Sequence, residues 1–306
     1  MKQYKVAIIG NGMICNAAHI PAYKAMGDKV KIVAVADIRE EAAKETAERH
    51  GIPKYYVDPY KMLEEEKPDI ISVCTPNAYH KEYTLAGFRA GCHVVCEKPV
   101  AVTCADAEEM FNAAEKAGKH LFVIQSLRFT GNFKAAAGLA KSGCLGDIYY
   151  ADLNLVRRRG VPRWGMFHMA KENVGGAFCD LGVHMCDYLM SISGNPKMVS
   201  VSGSAVTRIV NKEKNIEFSN AESGAPTGLF TPRKFDMKEF DVEEFANGYI
   251  RLENGMTVTF KISWALNLPN SNTVSICGDK GGLSIVPNGQ RSEERRVGKE
   301  CFDAWR

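Results

Sequence analysis

The chain has 306 residues, 45% of them hydrophobic and 25% charged, a balance that suits a globular protein of two domains and excludes an intrinsically disordered chain. Its formal charge of +3 is spread along the sequence, so no polyanion footprint exists, and neither nucleic acid nor a membrane surface is expected as a partner. The ten cysteines are scattered without a Cys-x-x-Cys pair; Cys92, His93 and Cys96 read as small apolar residues of a buried strand, and no metal site is expected. Free thiols in such numbers suit a reducing compartment, and there is neither a leader pattern nor an apolar run of membrane-spanning length, so a cytoplasmic protein with a small-molecule ligand is expected.

Val6 to Ile9 is a continuous apolar run of the kind a strand buried on both faces needs. It leads directly into Gly10-Asn11-Gly12-Met13-Ile14-Cys15, a G-x-G-x-x-C turn. The first glycine suits a tight turn, the second lets the backbone approach a pyrophosphate, and a helix predicted from Ile14 to Met26 offers its N-terminus to that charge. Cys15 stands where Gly or Ala is usual. A glycine fingerprint is informative only in context, and the context is present: a second strand, Lys31 to Ala36, ends on Asp37. There a carboxylate would accept hydrogen bonds from ribose hydroxyls, although the same residue could cap the helix that follows. Asp37 would repel a 2′-phosphate and Arg39 would attract one; NAD is preferred over NADP.

The alternation continues through Tyr55 to Val57, a helix from Pro59, a strand Ile70 to Cys74, a helix His80 to Ala90 and a strand His93 to Cys96. Strands separated by helices predict a parallel sheet with its ligand at the carboxyl ends of the strands. Thr75-Pro76-Asn77 and Glu97-Lys98-Pro99 both fall at such ends. Asn77 would contact cofactor or cap a helix. Lys98 would face both cofactor and substrate; a solvated strand-end lysine is its ordinary alternative. A helix capped by Thr103 and a strand His120 to Gln125 close this first domain.

Beyond it, Phe129 to Ala140 reads as a helix and Ile148 to Arg158 as a long alternating strand. Arg157, Arg158 and Arg159 form the most basic patch, either a solvated face or a source of a substrate-binding arginine, Arg157. Trp164 and Phe167 would wall a sugar pocket or anchor their loop. Gly175 and Gly176 would admit a nicotinamide or sugar ring close to the backbone. In the helix that follows, Asp180 and His184 are four apart and share a face. Its other residues are apolar nearly all round, predicting a buried helix in which Asp180 and His184 either satisfy each other or perform chemistry. The remainder, Val199 to Ile209, Phe245 to Leu252, Met256 to Leu266, Thr273 to Cys277 and Leu283 to Val286, is strand after strand, with a hairpin turn at Glu253-Asn254-Gly255, and predicts an open antiparallel or mixed sheet.

These motifs together resemble the Gfo/Idh/MocA oxidoreductase family over residues 1 to about 290. The carriers are Gly10 to Cys15, Thr75-Pro76-Asn77 with His80, Glu97-Lys98-Pro99, and Gly175-Gly176 followed by Asp180, His184 and Asp187. The resemblance implies an α/β fold, with a doubly wound Rossmann domain over 1–124 and an open-faced α+β domain over 125–290 that binds substrate and oligomerises. It implies Lys98, Asp180 and His184 as catalytic residues. Gly10, Gly12, Met13, Ile14, Asp37, Arg39, Thr75, Asn77, His80, Glu97 and Lys98 would meet NAD or NADP, and Lys98, Arg157, Trp164, Asp180 and His184 a sugar, inositol or related polyol. Oxidising a secondary alcohol needs a base while hydride leaves for nicotinamide; His184 suits that work, Asp180 could orient it, and Lys98 could stabilise the oxygen or itself take the proton. A redox-neutral glycosidase and a non-catalytic NAD-sensing regulator are the alternatives. The full-length protein is expected to be a homo-oligomer. Residues 291–306, beginning Arg291-Ser292-Glu293-Glu294-Arg295-Arg296, resemble the translation of a sequencing-library adapter and are expected to be non-native, with the second domain cut near Gln290.

Overall fold

A computed structural model describes residues 2–210, 223 and 228–285. The 291–306 tail lies outside the described residues. Within 1–124 six strands alternate with helices: β1 (Tyr4–Ile9), α1 (Ile20–Ala25), β2 (Val30–Ala36), α2 (Glu40–His50), β3 (Lys54–Tyr56), α3 (Pro59–Glu66), β4 (Ile70–Val73), α4 (His80–Arg89), β5 (His93–Cys96), α5 (Cys104–Ala117) and β6 (Leu121–Val123). All pair in parallel in the order β3-β2-β1-β4-β5-β6, so the chain reverses direction across the sheet between β1 and β4, the place where doubly wound folds open a ligand crevice. The apolar run of β1 is at the centre of this sheet, and Val6, Ala7, Ile8 and Ile9 are essentially without solvent contact. Helix punctuation follows local chemistry. The Asp58 and Thr103 side chains accept the N–H groups of Tyr60 and Asp106, and Gly51 and Gly118 end α2 and α5 in the left-handed conformation that glycine enters without steric cost.

The second part of the chain contributes α6 (Gly131–Lys141), β7 (Ile148–Val156), α7 (Ala170–Asn173), α8 (Val183–Ile192), β8 (Met198–Val206), β9 (Phe245–Leu252), β10 (Thr257–Ser263), β11 (Ser271–Gly278) and β12 (Gly282–Ile285). The sheet order is β12-β11-β7-β10-β9-β8; β7 and β10 are parallel and every other pair is antiparallel, a mixed sheet. Period-two alternation sends Val258, Phe260 and Ile262 to a buried face, against which the segment around Asp180 packs, and Thr259 and Lys261 to the other. By contacts, the described residues within 1–124, 162–174 and 224–241 form one compact unit, and those within 125–161, 175–223 and 242–306 the other. No helix among the described residues is long and apolar enough to cross a membrane.

Candidate functional site

In the first unit the site is built from the glycine loop outward. Gly10 has φ +91°, and a β-carbon there would stand 2.6 Å from the carbonyl oxygen of Cys74, so the turn accepts glycine alone. A β-carbon on Gly12 would meet nothing within 4 Å, leaving the space over the loop open. Met13 and Ile14 follow in the half-buried start of the helical segment. That segment is helical over 13–25 as expected, but with a π turn at Cys15–His19 inside it. The π turn directs two polar residues inward, and neither was anticipated. Asn16, 2% exposed, donates to the carbonyls of Asn11 and Gly12, both at 3.0 Å, and so fastens the loop from beneath. His19 reaches across the sheet to Glu97.

Asp37 is not the cap of α2. The cap position is taken by Arg39, whose N–H donates to Asp37 Oδ1 at 2.9 Å. Asp37 Oδ2 accepts the N–H of Asn11 at 2.8 Å, and the Arg39 guanidinium lies 3.7 Å away. The carboxylate thus braces the glycine loop and still has lone pairs to offer.

Glu97 is buried, with Oε1 2.8 Å from His19 Nε2 and Oε2 accepting the N–H of Lys98 at 3.2 Å. The chain runs on from His19 Nδ1 to Ser72 Oγ at 3.2 Å and from there to the Tyr23 hydroxyl at 2.6 Å. Burial works to raise the Glu97 pKa, but His19 and the nearby Lys98 hold it below the ordinary carboxylate value. Through these contacts Glu97 fixes the turn that carries Lys98. The Lys98–Pro99 peptide is cis. His80 is fully buried with its ring nitrogens 2.7 Å from the carbonyl of Pro99 and 3.0 Å from that of Thr75, bridging the two strand-end turns. Burial pushes its pKa down, and a neutral ring donates to one of those carbonyls at a time. The Asn77 amide donates to the carbonyl of Asn173 at 3.0 Å, so its side chain holds the 162–174 segment. In that segment Trp164 packs edge-on against Phe167, with ring centroids 6.0 Å apart.

The second unit holds Arg157, Asp180 and His184. Residues 177–192 are helical, again with a π turn, Phe178–Gly182, and the helix is not buried all round as the apolar composition suggested: Asp180 is 9% exposed, whereas His184 is only half-buried. The sheet packs on this helix through β7 and β10, and α6 packs on it as well. Gly176 leaves no room for a ring; a β-carbon there would stand 1.9 Å from the carbonyl oxygen of Glu243, so this glycine admits a neighbouring strand end. Trp264, fully buried just past β10, donates its indole N–H to Asp180 Oδ2 at 3.0 Å. Arg157 was open to a reading as a solvated face. It is half-buried, and desolvation pushes its pKa down while the charge of neighbouring Asp180 works in the opposite direction. Arg128 and Asp187 form a two-armed ion pair at 2.6 and 2.8 Å, which accounts for Asp187 structurally. A buried indole donor for a carboxylate 84 residues away carried no signal in the sequence.

The cofactor the fold calls for can be tested against these residues. Asn11 Oδ1 and Thr75 Oγ1 are buried without a hydrogen-bond partner, on the two loops that meet at Gly10. Together with the open space at Gly12 and the carboxylate of Asp37, these are groups that a dinucleotide would satisfy. The residues present fit NAD.

Residues 4–125 match the model of an oxidoreductase family with an NAD-binding Rossmann fold, and residues 133–284 that of the GFO/IDH/MocA C-terminal domain. A D-glucoside 3-dehydrogenase of Escherichia coli (strain K12) is 35% identical over 285 residues, covering 92% of this chain and 77% of that protein. A myo-inositol 2-dehydrogenase of Thermotoga maritima is 30% identical over 190 residues, 62% of this chain and 55% of that protein. The crystal structure of the WlbA dehydrogenase from Bordetella pertussis in complex with NADH and UDP-GlcNAcA superposes with a TM-score of 0.79 at 22% identity, covering 99% of this chain and 84% of that one, a likeness of fold alone. With both domain models matched in order and a relative at 35% identity, the chain belongs to the Gfo/Idh/MocA family of NAD-binding oxidoreductases.

Proposed function

We propose that this protein oxidises a ring hydroxyl of a sugar, glycoside or cyclic polyol, with residues 1–124 serving as the NAD(P)-binding domain and 125–290 as the substrate domain. When bound, NAD accepts the hydride leaving the hydroxyl-bearing carbon. His184 takes the hydroxyl proton, so that one hydride and one proton leave the alcohol and a carbonyl forms. Lys98 hydrogen-bonds the substrate oxygen and stabilises the charge that develops on it.

The observation that carries this reading is the setting of Asp180. The Trp264 indole donates to its carboxylate, and the half-buried guanidinium of Arg157 interacts with it electrostatically. A fixed anion one helical turn before His184 stabilises the imidazolium that proton abstraction produces. Arg157 is proposed in addition to hold substrate hydroxyls, and Trp164 to offer them an aromatic face. Asp37 directs the choice towards NAD by disfavouring a 2′-phosphate.

The test is a panel of methyl glucosides, free aldoses and inositols, each with NAD and with NADP, followed by NADH absorbance and by sugar release. NADH formation on a member of the panel is expected. Sugar release without net NADH would overturn the dehydrogenase reading in favour of redox-neutral glycoside cleavage.

A further inference from the structure

The turn that carries Asp180 is fastened at its start by a residue far along the chain. Glu243 stands two residues before β9, and its carboxylate accepts from alternate backbone N–H groups of that turn: Oε2 from Gly176 at 2.8 Å and Oε1 from Phe178 at 2.9 Å. Its own carbonyl accepts the N–H of Ala177, between them, at 3.0 Å. Three consecutive amides therefore end on one residue.

The chemistry explains the arrangement. The first amides of a helix have no intrahelical acceptor, and Ala177, in the cap position of the π turn, has no side chain to serve them. A carboxylate supplies two acceptors and a negative charge opposite the positive end of the peptide dipoles. Gly176 makes the close approach possible, because any β-carbon there would collide with the Glu243 carbonyl. The connection to Asp180 is direct: its N–H donates to the carbonyl of Gly176 at 3.0 Å. The main-chain carbonyl of Glu243 holds the peptide from which the Asp180 backbone hangs, and its carboxylate holds the peptides on either side of that one.

We propose that Glu243 is the positioning residue of the Asp180–His184 pair: it sets the π turn and so the direction in which carboxylate and imidazole are presented. The inference rests on the proton-transfer roles proposed for those two residues; Glu243 touches no substrate itself. Glu244 beside it is a contrast. Its carboxylate accepts the N–H groups of Arg208, Ile209 and Val210 at 2.7, 2.6 and 2.8 Å, and so orders the backbone that follows β8 instead.

The test compares the wild-type chain with Glu243→Gln, in which an amide N–H₂ replaces one acceptor and faces a backbone donor. Hydrogen exchange of peptides spanning 176–184 is expected to quicken about tenfold or more with the rest of the chain unchanged. The ring titration of His184, assigned by NMR with His184→Asn, is expected to move by about half a unit or more. With a substrate from the panel, kcat is expected to fall about tenfold while NAD affinity stays the same. If Glu243→Gln does not fold, Glu243→Asp, which keeps the charge with a shorter reach, is expected to give smaller shifts of the same sign. Unchanged exchange and an unchanged His184 titration in a folded variant overturn the proposal. So does exchange that rises equally throughout the chain, the mark of a merely structural carboxylate. Wild-type turnover by His184→Ala would instead overturn the proton-transfer reading, leaving the exchange result to stand by itself.

Discussion

The two π turns, Cys15–His19 behind the glycine loop and Phe178–Gly182 around Asp180, meet their carboxylates in opposite ways. In the first, the turn supplies a side chain, His19, to a buried glutamate at a strand end, Glu97. In the second, a glutamate near a strand start, Glu243, reaches the backbone of the turn, and the turn's own Asp180 faces an indole. A π turn interrupts the ordinary i to i−4 ladder and is found most often where a protein needs side chains in directions a regular helix does not offer. The difference teaches what each region must keep still. The nucleotide-binding unit locks one side chain to another, so its geometry follows from packing; the second unit locks a backbone at its π turn, and His184 beyond that turn is half-buried.

The contrast can be broken from either side. The largest effect on folding is expected on the cofactor side, where His19→Ala leaves the Glu97 carboxylate buried without its partner. A loss of about 3–5 kcal/mol, seen as a fall in Tm of roughly 10 °C by calorimetry, is expected. A loss under about 1 kcal/mol would show that water replaces the imidazole without cost. The same pair has a pH signature. Because Glu97 is held below its ordinary value in the folded chain, its contribution is fully present above the unfolded carboxylate pKa and disappears as pH falls through the folded value; Tm of the wild type is expected to drop more steeply than that of Glu97→Gln below about pH 4.

In the second unit Trp264→Phe keeps an aromatic ring and deletes the donor to Asp180. A kcat reduction of about ten- to a hundredfold is expected, with NAD affinity measured by fluorescence titration unchanged, since a hydrogen bond to a charged group contributes about 1.5–3 kcal/mol. Weakened NAD binding in this variant would erase the division of labour between the regions. A smaller effect is expected at Asp37→Ala, where NAD affinity falls about tenfold and the preference over NADP narrows, because the nearby Arg39 loses its counter-charge. The smallest is Thr103→Ala, which removes the cap of α5 for about 1 kcal/mol in urea unfolding and leaves activity alone.

What could be read from the sequence follows the same division. The Rossmann half was legible because its signals are local: an apolar run, a glycine turn, an acid at the next strand end and helices with their own caps. Its parallel sheet and the placing of Gly10, Asp37 and Lys98 at strand ends follow from the βα alternation alone. The mixed sheet of the second half was legible as a class, but the parallel pairing of β7 with β10 was not, because alternation fixes the face of a residue and leaves the neighbouring strand open. The residues that sequence reasoning missed, Asn16, His19, Trp264 and Glu243, act over long chain separations or through backbone groups. A polar residue in an otherwise apolar helix was the available signal for Asn16 and His19, since burial of such groups demands a partner. No equivalent signal existed for Glu243, which lies in an acidic stretch that reads as solvated surface.

One measurement tests the proposed proton transfer most directly: initial rates of NADH formation, on whichever sugar or polyol of the panel is turned over, by the wild type, His184→Ala and Lys98→Ala, with NAD affinity determined in parallel for all three. Both variants are expected to lose a hundredfold or more of kcat, within the range of about 10²–10⁴ for positioned proton transfer, while binding NAD as the wild type does. Wild-type rates in either variant would contradict the account at its centre.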